Sequence, residues 1–331
     1  MQRKVSEKER KPALLKKAGK GVFVAVFVAM LFTLLPLTVD RYTLHTLILC
    51  QIFVVISVCW NLLAMTRQVS LGHAAFFGLG AYTSALLSDR LSTQPWLDIA
   101  SGGIVASFGA IILGCICIRM APWALAIVTF SFAEALRVIS SMVAFTDGAQ
   151  GISLSPLFEG NPNNKLFSYY MILVIALITV VAIYFVIHSR LAYAFRAIHD
   201  DEHAASILGV NPVLFKLLAF TISAFFTGLA GGFYAHYTTH IEPATAFNVH
   251  ISVEAQLMPL IGGLYTFVGP ILGAVVLTLM TEYLRVSFGQ GYMIFYGIIL
   301  VVTILFLPEG IVGLYKIAWS RVRRMGLAGG E

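Results

Sequence analysis

Along the chain, apolar runs of about twenty residues alternate with short polar intervals. Windows dense in Leu, Ile, Val, Phe and Ala fall near 21–39, 43–65, 70–88, 97–118, 122–145, 168–187, 217–239 and 290–308. At 1.5 Å per residue, each is long enough to cross about 30 Å of hydrocarbon, which predicts transmembrane helices. The run from Ser252 to Val286 is too long for one crossing, and Gly262-Gly263 and Gly269-Pro270 interrupt it. It is expected to cross twice, with 252–266 as a short, broken span. The pattern predicts an all-α polytopic integral membrane protein of about ten transmembrane helices, within a range of eight to ten.

Charge fixes the expected orientation. Arg3, Lys4, Lys8, Arg10, Lys11, Lys16, Lys17 and Lys20 precede the first span, and Lys316, Arg321, Arg323 and Arg324 follow the last. Basic flanks mark the cytoplasmic side, so both termini are expected there, and an even span count agrees with this. Three regions result: a basic tail over 1–20, a transmembrane domain over 21–315 with a cytoplasmic loop at 189–215, and a second basic tail over 316–331. The intervals 89–96, 146–167 and 240–251 should face outward. A basic stretch followed by an apolar one resembles a secretion signal, but 22–39 is long for a signal core and lacks a small-x-small site before Asp40, so an uncleaved span is expected.

Composition agrees with lipid as the solvent. The 331 residues are 59% hydrophobic and 11% charged, with mean hydropathy +0.86, whereas soluble domains carry about a quarter charged residues. The net charge of +6 lies in the tails and does not point to nucleic acid. Cys50, Cys59, Cys115 and Cys117 all sit in apolar runs, which argues against a disulfide framework.

Three constellations could carry chemistry. In Gln68-Val69-Ser70-Leu71-Gly72-His73, leading on to Gly78, Gly80 and Tyr82, polar groups head a glycine-rich span; buried polar groups in membranes mark pathways or packed joints. Gln68, Ser70 and His73 are therefore pathway candidates, as are Gly262 and Gly263, because broken helices commonly line transport routes. In the run 129–137, Glu134 and Arg137 share a helix face three residues apart, either as a structural ion pair or as a substrate contact. The third lies between Phe195 and Pro212. It reads as a short helix with acids at its start and a glycine stop at Gly209, and Ile198, Ala205 and Leu208 give it an apolar face suited to docking a partner.

Other readings are weaker. His199-Asp200-Asp201-Glu202-His203 matches the H-x-x-E-H pattern of a metalloprotease family, but the loop has no room for further ligands or a cleft. His236, His240, Glu242 and His250 could bind metal at the outer face, although interfacial histidines need no metal. The chain contains no G-x-x-x-x-G-K-[ST] phosphate loop and no G-x-S-x-G elbow. No enzyme, metal or cofactor is expected.

The run from Gln68 to Tyr82 resembles the signature of LivM-type permeases of bacterial branched-chain amino acid importers, which are ATP-binding-cassette systems. In order along the chain, 126–137, 146–152, 195–209, 262–274 and 307–311 resemble the acidic span, outer loop, coupling segment, late glycine motif and ending of that family. Met65-Thr66-Arg67 and Ala121-Pro122 depart from its usual glycines. The resemblance implies a permease in the bacterial inner membrane, paired with a LivH-type permease, two cytoplasmic ATPase subunits and a periplasmic binding protein. It also implies coupling to the ATPase through Arg196, Glu202, Ala204, Ala205 and Gly209. Urea and short-chain amide importers belong to the same superfamily, and a secondary transporter or channel is the alternative of another class.

Overall fold

The computed structural model describes Pro36 and residues 39–157, 163–306 and 310–313. Both basic tails, nearly all of the expected span 21–39, and Leu307, Pro308 and Glu309 lie outside the described residues. Met1–His45 and Thr46–Glu331 form separate compact units, and of the first only Pro36 and residues 39–45 are described.

The described chain is helical almost throughout. Helix α1 covers Arg41–Ala64, α2 His73–Leu91, α3 Pro95–Cys117, α4 Pro122–Met142 and α5 Asn164–His188. Two short helices follow, α6 at Arg190–Asp200 and α7 at Glu202–Ile207, then α8 at Pro212–Thr238, α9 at Pro243–Ala246, α10 at Val249–Gly262, α11 at Val268–Phe288 and α12 at Tyr292–Phe306. Among the described residues, α1, α3, α4, α5, α8 and α11 are long and apolar enough to cross a membrane.

Sequence chemistry accounts for the starts. Pro95, Pro122 and Pro212 occupy first-turn positions, where a missing N–H costs nothing and φ is preset for a helix. Asn211 and Asn248 accept N–H groups of Leu214 and His250 at 3.3 and 2.9 Å, as N-caps do. The long 252–286 run divides at Gly262-Gly263 as expected, with the break over 263–267, but Gly269-Pro270 does not interrupt it: both lie in the first turn of α11, where proline is tolerated.

Helices α2, α3 and α8 form the centre. They cross backbone against backbone at Gly80, Gly102, Gly228 and Gly231: a Cβ on Gly80 would strike the Gly228 carbonyl, and one on Gly102 the Gly80 carbonyl. Small residues allow this approach, which in lipid supplies the packing that water supplies elsewhere. Phe76 and Phe220 meet edge to face across the centre at 5.2 Å.

The two ends of the bundle differ. At one end, Ile152–Ser153 (β1) pairs antiparallel with His240–Ile241 (β2), and Arg90 bonds Asp147 at 3.3 Å. The intervals after α2, α4 and α8 thus share one end, and all three were expected to face the same way. At the other end, Met65, His188, Phe195, His199, Asp200, Tyr265 and other residues line a cleft of about 330 Å³. Gly310 also lies at this end, with φ +69 and its backbone against Gly263. The break between α10 and α11, the α5–α8 connection and the last described residues therefore lie together.

Candidate functional site

The α5–α8 connection is two helices, not the single one expected. Asp201 leaves the helical region and accepts the N–H groups of His203 and Ala204 at 2.8 and 3.0 Å, so it caps α7 and sets the angle with α6. The Ala204 and His203 N–H groups hold its carboxyl below the ordinary aspartate range. Gly209 ends the pair at φ +85, the left-handed region glycine adopts at low cost. The apolar face also differs from expectation. Ile198 and Ala205 are buried, 0% and 1% exposed, because they anchor α6 and α7 to the bundle. Ile207 and Leu208 instead project at 87% and 80% exposure.

Among the expected coupling residues, Arg196 is exposed on α6 and lines the cleft, and Ala204 is exposed beside buried Ala205. Glu202 pairs with Lys216, whose Nζ lies 2.6 Å away and is nearly buried. This pair fastens α7 to the first turns of α8. Gln68 reaches the same place: its Nε2 donates to the Lys216 carbonyl at 3.1 Å and to Thr66 at 3.0 Å.

Ser70 and His73 belong to buried joints. The Ser70 hydroxyl accepts the Gly72 N–H at 3.1 Å, and its carbonyl accepts Trp60 Nε1–H at 2.9 Å. His73 Nε2 lies 3.0 Å from the Ser223 hydroxyl, and Ala74 N–H donates to Ser252 at 2.8 Å. The segment thereby ties α2 to α1, α8 and α10. Leu71 N–H donates to Thr129 at 3.0 Å and Ala133 packs on Ala74 and Ala75, so the same segment carries α4.

Gly262 and Gly263 form the α10–α11 break. A Cβ on Gly262 would strike the Gly269 carbonyl, and one on Gly273 the Met258 carbonyl. The break is held by Asn61, which sequence reasoning missed. Its Nδ2 donates to the Thr266 carbonyl at 2.9 Å and its Oδ1 accepts the Tyr265 N–H at 3.0 Å. Asn61 thus satisfies irregular backbone that would be costly in lipid. A lone Asn inside the apolar α1 run was the available signal.

Glu134 stands apart from these groups. Arg137 Nε lies 3.0 Å from each of its carboxylate oxygens, with a further Nη contact, and the two side chains are 38% and 37% exposed. His236 and His240 do not converge: His236 is buried against Ser84 at 3.0 Å, whereas exposed His240 bonds Ser153 at 3.2 Å. Among the described residues, no three metal-ligating side chains converge.

A bundle of long apolar helices with buried polar joints, broken glycine-rich segments and a projecting short helix is that of an all-α polytopic membrane protein. The chain belongs to the family described as branched-chain amino acid transport system, permease component, whose model matches residues 42–307. It is similar to the high-affinity branched-chain amino acid transport system permease protein LivM of Escherichia coli K12, with 27% identity over 91% of this chain and 77% of that protein. LivM of Salmonella typhimurium LT2 is 28% identical over 83% of this chain and 71% of its own. LivH of Escherichia coli K12 is 24% identical over 74% and 86%. No solved structure matches.

Proposed function

We propose that this chain is one permease subunit of an ATP-driven importer of branched-chain amino acids, set in the bacterial inner membrane beside a LivH-type permease. Two ATPase subunits act from the cytoplasm, and a binding protein delivers cargo at the outer end. The observation that carries the reading is the projecting Ile207–Leu208 pair. It sits on a short helix fixed by the Asp201 cap and the Glu202–Lys216 ion pair, and exposed apolar side chains on a rigid support suit partner docking.

The orientation follows from the ends. Arg67, Arg119, Arg190, Arg196 and Lys216 fall toward the α6–α7 side and Arg41, Arg90, Lys165 and Arg285 toward the β1–β2 side; that near balance is tipped by the basic tails over 1–20 and 316–331, whose cytoplasmic placement under the positive-inside rule supports a cytoplasmic α6–α7 side. The described helices then alternate in direction from α1 to α12, with α6, α7 and α9 as non-crossing pieces. Adding a span over 21–39 gives ten crossings and cytoplasmic termini. Irregular α10 crosses as a short helix beside the longer ones. Gln68, Ser70, His73, Gly262 and Gly263 act here by holding the helices in register.

Coupling through α7 is tested by Glu202→Arg, Gly209→Pro and Leu208→Asp in the assembled importer. Each should abolish leucine uptake and ATPase co-purification while the protein still inserts. Uptake at the normal rate in all three would contradict the docking role.

A further inference from the structure

The exposed faces of the crossing helices are mostly of one kind. Helix α3 presents Ile104, Phe108, Ile112 and Ile116 outward, and α5 presents Val174, Leu177, Ile178, Val181 and Phe185. Such faces suit acyl chains. Helix α4 departs from the pattern at its middle. Only 17% of its apolar window is buried, the lowest share among the six long spans, and between exposed Trp123 and Ile127 on one side and Ile139 and Met142 on the other its uncovered surface carries Ser131, Glu134 and Arg137. Glu134 stands twelve positions after Pro122, about 18 Å along the axis and so near mid-membrane. Charged side chains at that depth face a bundle interior or a water-filled space, not lipid.

We infer that this face of α4 lines the water-filled translocation route, and that Glu134 and Arg137 there receive the ammonium and carboxylate groups of a zwitterionic amino acid. The inference rests on the importer reading for its cargo. Opposite charges one helical turn apart match the two charges of an α-amino acid, and each can exchange its partner on the helix for one on the cargo without leaving a bare charge. Guanidinium binds carboxylate through paired N–H donors; Arg137 uses Nε and one Nη on Glu134, and its other Nη has no partner among the described residues. Nothing here selects the side chain of the cargo, so the site discriminates by the zwitterion and leaves side-chain choice to the binding protein. The covered side of α4, through Thr129 and Ala133, rests on the Gln68–Tyr82 segment, which positions the charged face without touching cargo.

The test uses the complete assembly, with Cys50, Cys59, Cys115 and Cys117 replaced by Ala. Ser131→Cys and Ala135→Cys should react with a membrane-impermeant methanethiosulfonate at least ~10-fold faster than Ile178→Cys and Phe185→Cys on the lipid-type face. L-leucine should slow that reaction, whereas 4-methylpentanoate and 3-methylbutylamine, each lacking one charge, should not. Glu134→Gln and Arg137→Gln should each lower leucine uptake ~10-fold or more, corresponding to about 1.4 kcal/mol or above. Combining Glu134→Arg with Arg137→Glu keeps one charge of each sign; because nothing there selects the cargo's side chain, a zwitterion can bind it turned around, so the reversed pair should retain more uptake than either Gln variant. Labelling no faster than at Ile178→Cys, or wild-type uptake by both Glu134→Gln and Arg137→Gln, would overturn the proposal. Rapid labelling at Ser131→Cys in an assembly that carries no leucine would remove the zwitterion site and locate the failure in the importer reading.

Discussion

Lys216 Nζ lies 2.6 Å from Glu202 Oε2, so the start of the long apolar helix α8 grips the first residue of the short helix α7. Any force on α7 passes directly into α8, and α8 crosses α2 and α3 backbone to backbone at Gly80, Gly102 and Gly228. The link from the α6–α7 end to the centre of the bundle is therefore short and stiff.

Removing one side of that link leaves the other charge poorly solvated. Lys216 is 7% exposed while the Glu202 side chain is 41% exposed, so the cost lies between that of exposed pairs, about 0–1 kcal/mol, and broken buried pairs, about 3–5 kcal/mol. Glu202→Gln is expected to destabilise by about 2 kcal/mol, read as a lowered Tm in detergent, and to reduce ATP-driven uptake by more than it reduces folded protein.

His73 and Ser223 hold α2 to α8 from fully buried positions. His73→Ala strands the Ser223 hydroxyl, at about 1–3 kcal/mol. Folded His73→Ala protein should still transport, since the imidazole supports packing; loss of uptake at unchanged Tm would assign it to the route instead.

Gly262 and Gly273 bring α10 and α11 into backbone contact, whereas Gly297 on α12 faces open space. Gly262→Ala and Gly273→Ala should each cost about 1–3 kcal/mol through forced separation, and Gly297→Ala should leave Tm level or slightly raised. Thermal melts of the three variants distinguish the sites.

The Asp201 cap makes a pH-dependent prediction. Its carboxyl titrates below the ordinary value because the Ala204 and His203 N–H groups favour its charged form. The stabilisation is complete above the unfolded-state value and is lost as pH falls through the lower folded-state value. At neutral pH, Asp201→Ala should speed amide exchange at His203 and Ala204, and Asp201→Asn should not.

Span number is checked by accessibility. In a background without the native cysteines, Gly329→Cys should label only from the cytoplasm and Ser153→Cys only from outside. Labelling of both from one side would contradict ten crossings.

Much of the fold is legible in the sequence because lipid simplifies the reading: apolar length gives the helices, proline gives their starts, and Gly262-Gly263 gives the break. What the sequence hid are pairings across distance. Asn61 and Tyr265 are 204 positions apart, and a lone Asn does not announce the loop it satisfies. Ile198 and Leu208 look alike as letters, but the Asp201 cap turns α7 so that one is buried and the other projects. That cap was readable, since Asp followed by a short helical run is a strong N-terminal signal. Glu134 and Arg137 were recognisable as a pair, while the side they face depends on how α4 sits on Ala74 and Ala75.

The most direct test is reconstitution of this chain with its permease partner, ATPases and binding protein in proteoliposomes, followed by uptake of radiolabelled L-leucine. Accumulation that requires ATP and the binding protein, and that disappears in the Leu208→Asp variant, is the expected result. Leucine movement at the same rate without ATPase subunits would contradict the account.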